Sequence, residues 1–159
     1  MKVKLIVLAF FCLLSFVTAE AKKPENLKYD IECVGNGAQS TYLVKVWVYG
    51  KASQITSDVL KKYAVHGVIF KGYSGRNGCT SQKPMAQSPV LEQERADFFD
   101  AFFNNDRSYA KYTTEVDGTT ERVKVGKEYK IAAVISVSKE LLRQDLEKAG
   151  IIRGLSSGF

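Results

Sequence analysis

The chain is poor in the residues that most often announce chemistry. It has one histidine, His66, and three cysteines in 159 residues. A zinc site built on two histidines is excluded, and a thiolate-rich zinc site lacks ligands. Three prolines and twelve glycines are too few for a collagenous chain, and heptads and low-complexity tracts are missing as well. No apolar stretch exceeds the 13 residues Leu5–Val17, interrupted by Ser15, whereas a spanning helix needs roughly 18. No internal repeat is evident.

What is present is a globular composition: 45% apolar, 11% aromatic and 25% charged residues. A mass of 17.7 kDa suits one domain. The formal charge of +6 permits contact with acidic partners without demanding it.

The N-terminus reads as an address. Lys2 and Lys4 precede the apolar stretch and Thr18-Ala19-Glu20-Ala21 follows it, the layout of a secretory signal peptide. Small residues at −3 and −1 fit cleavage after Ala21, and cleavage after Ala19 fits almost as well. As a helix the 13 residues rise only about 20 Å against a hydrocarbon core of about 30 Å, which argues against an uncleaved anchor. Phe10 and Phe11 precede Cys12 where a lipid-attachment site wants small residues. The expected organisation is residues 1–21 as signal peptide, 22–27 as a loose polar segment and 28–159 as one domain. Export removes Lys2, Lys4 and Glu20, takes the charge from +6 to +5, and leaves a chain with no transmembrane span.

Loss of Cys12 leaves Cys33 and Cys79, an even pair on the oxidising side of a membrane. They close a disulfide if the two sites meet in space. Two unlinked thiols are the alternative, because spacing alone does not fix pairing.

Periodicity sets the fold class. Tyr29, Ile31 and Cys33 alternate with Lys28, Asp30 and Glu32, as in a half-buried strand. Thr41–Tyr49 is apolar on both faces except Lys45 and reads as a central strand. Residues 53–64 take helical spacing, Val65–Tyr73 returns to a continuous apolar run expected as a buried strand, and 74–88 is a polar loop. Ser88-Pro89 opens a helix whose Phe98, Phe99, Phe102 and Phe103 face the core and whose Glu92, Asp97 and Asp100 face away. Tyr109–Val116 and Thr119–Val125 around Asp117-Gly118 give a hairpin signal. Tyr129–Val137 is another buried strand, and Ser138 caps a last helix with Leu141, Leu142 and Leu146 on one face, stopped at Gly150. The apolar residues Ile151, Ile152, Leu155 and Phe159 imply a packed C-terminus. The order is β-β-α-β-α-β-β-α: an α+β domain with a single mixed sheet of five to six strands and three helices packed on it.

Motif searches return little. His66 sits in an apolar run and reads first as a satisfied core histidine; a dyad with Cys33 or Cys79 would make a cysteine hydrolase, which requires a free thiolate and competes with the disulfide. Gly35-Asn36-Gly37 leads to a strand, so dinucleotide-binding geometry is missing, and Gly72–Gly78 lacks the ending of a phosphate loop. No cofactor is implied, and no nucleic-acid partner. What remains is a basic loop, 71–84, in which Lys71, Arg76 and Lys83 near Tyr73 suit a carboxylate or phosphate.

The segments TYLVKVWVYGK, YAVHGVIFKGY and LLRQDLEKAGIIRGLSSGF resemble those of small exported Bacteroidetes proteins without an assigned activity. The resemblance implies a periplasmic, outer-membrane or secreted location and transfers no catalytic residue. At the level of fold analogy the chain is similar to penicillin-binding-protein activator lipoproteins, whose lipid-attachment cysteine it lacks. The expected function is a non-enzymatic envelope module that binds another protein through the 71–84 loop and the exposed part of the sheet. A polyanion binder for lipopolysaccharide or acidic glycan through the same loop is the second reading, and the His66 hydrolase the third.

Overall fold

The computed structural model describes residues 26–37, 40–75 and 78–154. The signal-peptide expectation, Arg76, Leu155 and Phe159 lie outside the described residues. Nine-residue β1 (Lys28–Asn36) and ten-residue β2 (Thr41–Gly50) pair antiparallel, with Tyr29 opposite Val48 and Cys33 opposite Val44. β2 also pairs along its whole length with β5 (Glu128–Ser138), from Thr41 opposite Ser138 to Gly50 opposite Tyr129. On the far edge of β5 lie β3 (Thr113–Glu115) and β4 (Glu121–Val125), end to end. The five strands form one open sheet, antiparallel at every pairing among the described residues.

Among the described residues four α-helices accompany the sheet: α1 (Ser57–Phe70), α2 (Leu91–Glu94), α3 (Ala96–Asp100) and α4 (Lys139–Lys148). An α+β domain with a single sheet and packed helices is what the periodicity implied, but the order differs. The expected strand 65–73 is the second half of α1. Val65, Val68 and Ile69 are wholly buried there, and a helix enclosed on all sides carries the same unbroken apolar run as an enclosed strand. Thr56 starts it, its Oγ1 accepting from Val59 N at 3.3 Å. Beyond its end, Met85 N and Ala86 N donate to the carbonyls of Val68 and Ile69 at 3.3 and 2.8 Å. Gly67 lets the helix touch β1: a Cβ there would stand 2.7 Å from Ile31 Cδ1.

The helix expected from Ser88 is broken into α2, α3 and a π turn, Ala101–Asn105. Its phenylalanines do reach the core, with Phe99, Phe102 and Phe103 buried and Phe98 packed against them. β3 and β4 do not pair with each other; the tight hairpin joins β4 to β5 through Gly126 (φ 62°) and Lys127. Residues 108–112 form a 3-10 turn that buries Tyr109 and Tyr112. On α4, Leu142 and Leu146 are buried but Leu141 is exposed, because it lies a residue off the inward stripe. Ile151 and Ile152 close the core beyond Gly150.

The described helices cover one side. The core takes Ile131, Ala133, Ile135 and Val137 from β5 and Tyr42, Val44, Val46 and Val48 from β2. The alternate residues of both strands face the opposite way, and among the described residues no helix packs on them. No helix among the described residues is long and apolar enough to cross a membrane.

Candidate functional site

The two described stretches of the 71–84 segment, 71–75 and 78–84, are tied to each other and to β1. Cys33 and Cys79 are joined by a disulfide with Cα atoms 6.1 Å apart. Tyr73 and Gln82 exchange backbone hydrogen bonds at 2.9 Å each way, and Gly75 N donates to Ser81 Oγ at 2.8 Å. Gly72 (φ 63°) is required at the neck, since a Cβ there would stand 2.2 Å from the Gln82 carbonyl oxygen.

Of the predicted binding residues, Lys71, Tyr73 and Lys83 are described. Lys71 caps α1 and turns back onto β1: its Nζ donates to the Tyr29 carbonyl at 2.7 Å and lies 3.7 Å from that tyrosine's ring centre. Tyr73 packs edge-on against Tyr42 at 6.0 Å, and burial pushes its phenol pKa up. Lys83 is exposed. The disulfide ties up both sulfurs, so a dyad of His66 with Cys33 or Cys79 has no thiolate in this state.

His66 lies in the middle of α1 and is held on both sides. Its Nε2 is 3.1 Å from Glu92 Oε1 and its Nδ1 is 2.6 Å from the Tyr29 hydroxyl. With Glu92 ionised, Nε2–H donates to the carboxylate and Nδ1 accepts from the phenol. The hydrogen bond from His66 lowers the Glu92 carboxyl pKa, against the upward pull of burial. Burial pushes the Tyr29 phenol well above its ordinary value, with the Glu92 charge adding to it. A cleft of about 490 Å³ opens beside this trio, with Lys62 and Asn104 on its rim joined at 2.8 Å. Glu92, expected to face solvent, is thus a structural partner of His66.

The side of the sheet that no described helix covers carries residues that sequence reasoning did not single out. Trp47, the chain's one tryptophan, lies there on β2. Its indole Nε1 donates to Glu32 Oε1 at 3.1 Å, and the ammonium groups of Lys130 and Lys45 stand 4.2 and 4.6 Å from its ring centre. Lys45 also pairs with Glu121 at 2.5 Å. The Tyr49 hydroxyl donates to Asp30 Oδ2 at 3.1 Å, and Lys28 lies 5.3 Å from the Tyr49 ring. Val123 and Val125 on β4 are half-exposed at the margin. Around the two rings Lys28, Lys45 and Lys130 alternate with Asp30, Glu32 and Glu121, so positive and negative charges balance. The available signal was parity: Lys45, Trp47 and Tyr49 alternate with the core residues of β2, but a strand apolar on both sides hides which side stays open.

Comparison of the chain with protein-family profiles, curated proteins and solved structures finds no match.

Proposed function

We propose that the chain is an exported, non-enzymatic binding module that docks a protein partner on the helix-free face of its sheet, with Trp47 at the centre of the contact. The carrying observation is the placement of the lone tryptophan on that face, oriented by Glu32 and flanked by Lys45 and Lys130. Indole has the largest apolar surface to bury, and tryptophan is enriched where interfaces concentrate their binding energy. The balanced rim favours a protein surface of mixed charge. A polyanion needs uncompensated cations, whereas here three lysines share the face with three carboxylates and Lys45 is paired with Glu121. The signal-peptide layout and the disulfide support an oxidising, extracytoplasmic location.

A photoreactive residue placed at Val123 on this face, and at Leu141 on α4 as control, tests the reading in the exporting cell. A protease-sensitive adduct from the Val123 position alone, lost when Trp47→Ala is added and kept with Trp47→Phe, is the expected result. No adduct, equal adducts from both positions, or an adduct indifferent to Trp47→Ala would overturn it. Thermal melting of each variant checks that the sheet is intact.

A further inference from the structure

The charges on the face around Trp47 are ordered by the strand register. Asp30, Trp47 and Glu121 share one row across the sheet, Trp47 and Glu121 both standing opposite Ala132. In the next row to one side Lys28 lies opposite Tyr49 and Tyr49 opposite Lys130, and in the row to the other side Glu32 lies opposite Lys45. Lys28, Asp30, Glu32 and Glu121 are exposed. On β1 the Trp47 row is therefore flanked by a cation on one side and an anion on the other.

Sheets packed face to face lie about 10 Å apart with their strands within about 30° of alignment. Two copies of one chain pair most simply about a two-fold axis, each presenting the same patch to the other. An axis running along the strands sets like against like here. Placed over β2 it brings Lys28 of one copy onto Lys130 of the other, and placed between β2 and β5 it brings Asp30 onto Glu121. An axis running across the strands at the Trp47 row reverses the order of the rows instead. It sets Lys28 of each copy against Glu32 of the other, and the two Trp47 indoles meet on the axis, where a large apolar ring contributes most. Asp30 and Glu121 then meet their own equivalents, but each has a partner within its own copy, the Tyr49 hydroxyl for Asp30 and Lys45 for Glu121.

We propose that the partner on this face is a second copy of the chain, related by the two-fold axis that crosses the strands at Trp47. The proposal rests on the docking reading of this face and names its occupant. A surface of mixed charge fits the face, and this face is itself one, complementary to its own copy in a single orientation.

Sedimentation of the chain without residues 1–21 over a concentration series measures the association, and a monomer–dimer equilibrium is expected. Lys28→Glu and Glu32→Lys each set like charges across the axis twice and should weaken the dimer about tenfold or more. Lys28→Glu combined with Glu32→Lys should restore most of the association, because each new glutamate again meets a new lysine. A partner of different sequence carries no such reciprocal exchange and would bind the double variant no better than the single ones. Trp47→Ala should leave a monomer. Both charged positions are exposed, and melting midpoints check that the variants fold. A wild type that stays monomeric, a dimer that survives Trp47→Ala, or a double variant no better than the single ones would overturn the proposal. The photoadduct at Val123 separates this failure from that of the docking reading: a monomer whose adduct holds a different protein removes the second copy and keeps the face, and a monomer without an adduct removes both.

Discussion

His66 joins α1 to α2 across 26 residues of sequence, its Nε2 standing 3.1 Å from Glu92 Oε1. The contact pins a four-residue helix that is too short to persist alone to the long helix that spans the sheet, and it stands over the aromatic cluster of Phe70, Phe99 and Phe103. His66→Ala should therefore cost about 1–3 kcal/mol, because it also leaves the buried Tyr29 hydroxyl without its partner. Urea unfolding of the variant measures this.

The Glu92 carboxyl is held below its usual 4.5 by His66. The folded state thus binds fewer protons here than the unfolded chain, and the contribution is complete above the unfolded value and lost as pH falls through the folded one. Stability should decline on acidification below about pH 4.5, and Glu92→Gln should flatten that decline. Melting midpoints of both proteins across this range check it.

Reduction of the Cys33–Cys79 bond, or its replacement by two serines, should lower stability by about 4 kcal/mol at most, the chain-entropy value for a closed loop of this length. The unreduced chain without residues 1–21 should titrate no free thiol. Denaturant curves with and without reductant, together with thiol counting, read both.

Gly67→Ala sets helix propensity against packing. Alanine favours a helix by about 1 kcal/mol, but its Cβ would sit 2.7 and 2.8 Å from Ile31 Cδ1 and Cγ2. The clash should win, with a net loss of about 1–2 kcal/mol, and Ile31→Val should recover part of it. A double-mutant cycle shows the coupling.

Asp58 accepts from the buried Tyr109 hydroxyl at 2.6 Å and pairs with Arg107. Burial would push its carboxyl pKa up, yet the hydrogen bonds from Arg107 and Tyr109 bring it below the usual value. Asp58→Ala should be more destabilising than Tyr109→Phe: it orphans a buried phenol and removes an acid from the first turn of α1, whereas the phenylalanine leaves the carboxylate its arginine. Equilibrium unfolding of the two variants ranks them.

Where one face of an element stays wet, its type was legible. β1 alternates cleanly, α4 carries the Ser138 start and the Gly150 stop, and the phenylalanine stripe was read as core. The second half of α1 was not legible, because VHGVIF is β-branched and apolar all round and only the layer of phenylalanines packed over it decides that it is helix. β3 and β4 misled in another way, since each has a better neighbour in β5 than in the other. The site was legible only in its parts. His66 was singled out, but Tyr29 and Glu92 lie 37 and 26 residues from it, and nothing local marks them.

By itself the sequence determined an α+β chain with an N-terminal stretch patterned for export and two cysteines suited to pairing, because charge, length and period are properties of neighbouring residues. Only the tertiary structure decided that Cys33 meets Cys79, that Lys71 is spent on β1 and that Trp47 stays on the face that no described helix covers. Those outcomes depend on which segments bury one another, and burial is settled by the whole chain at once.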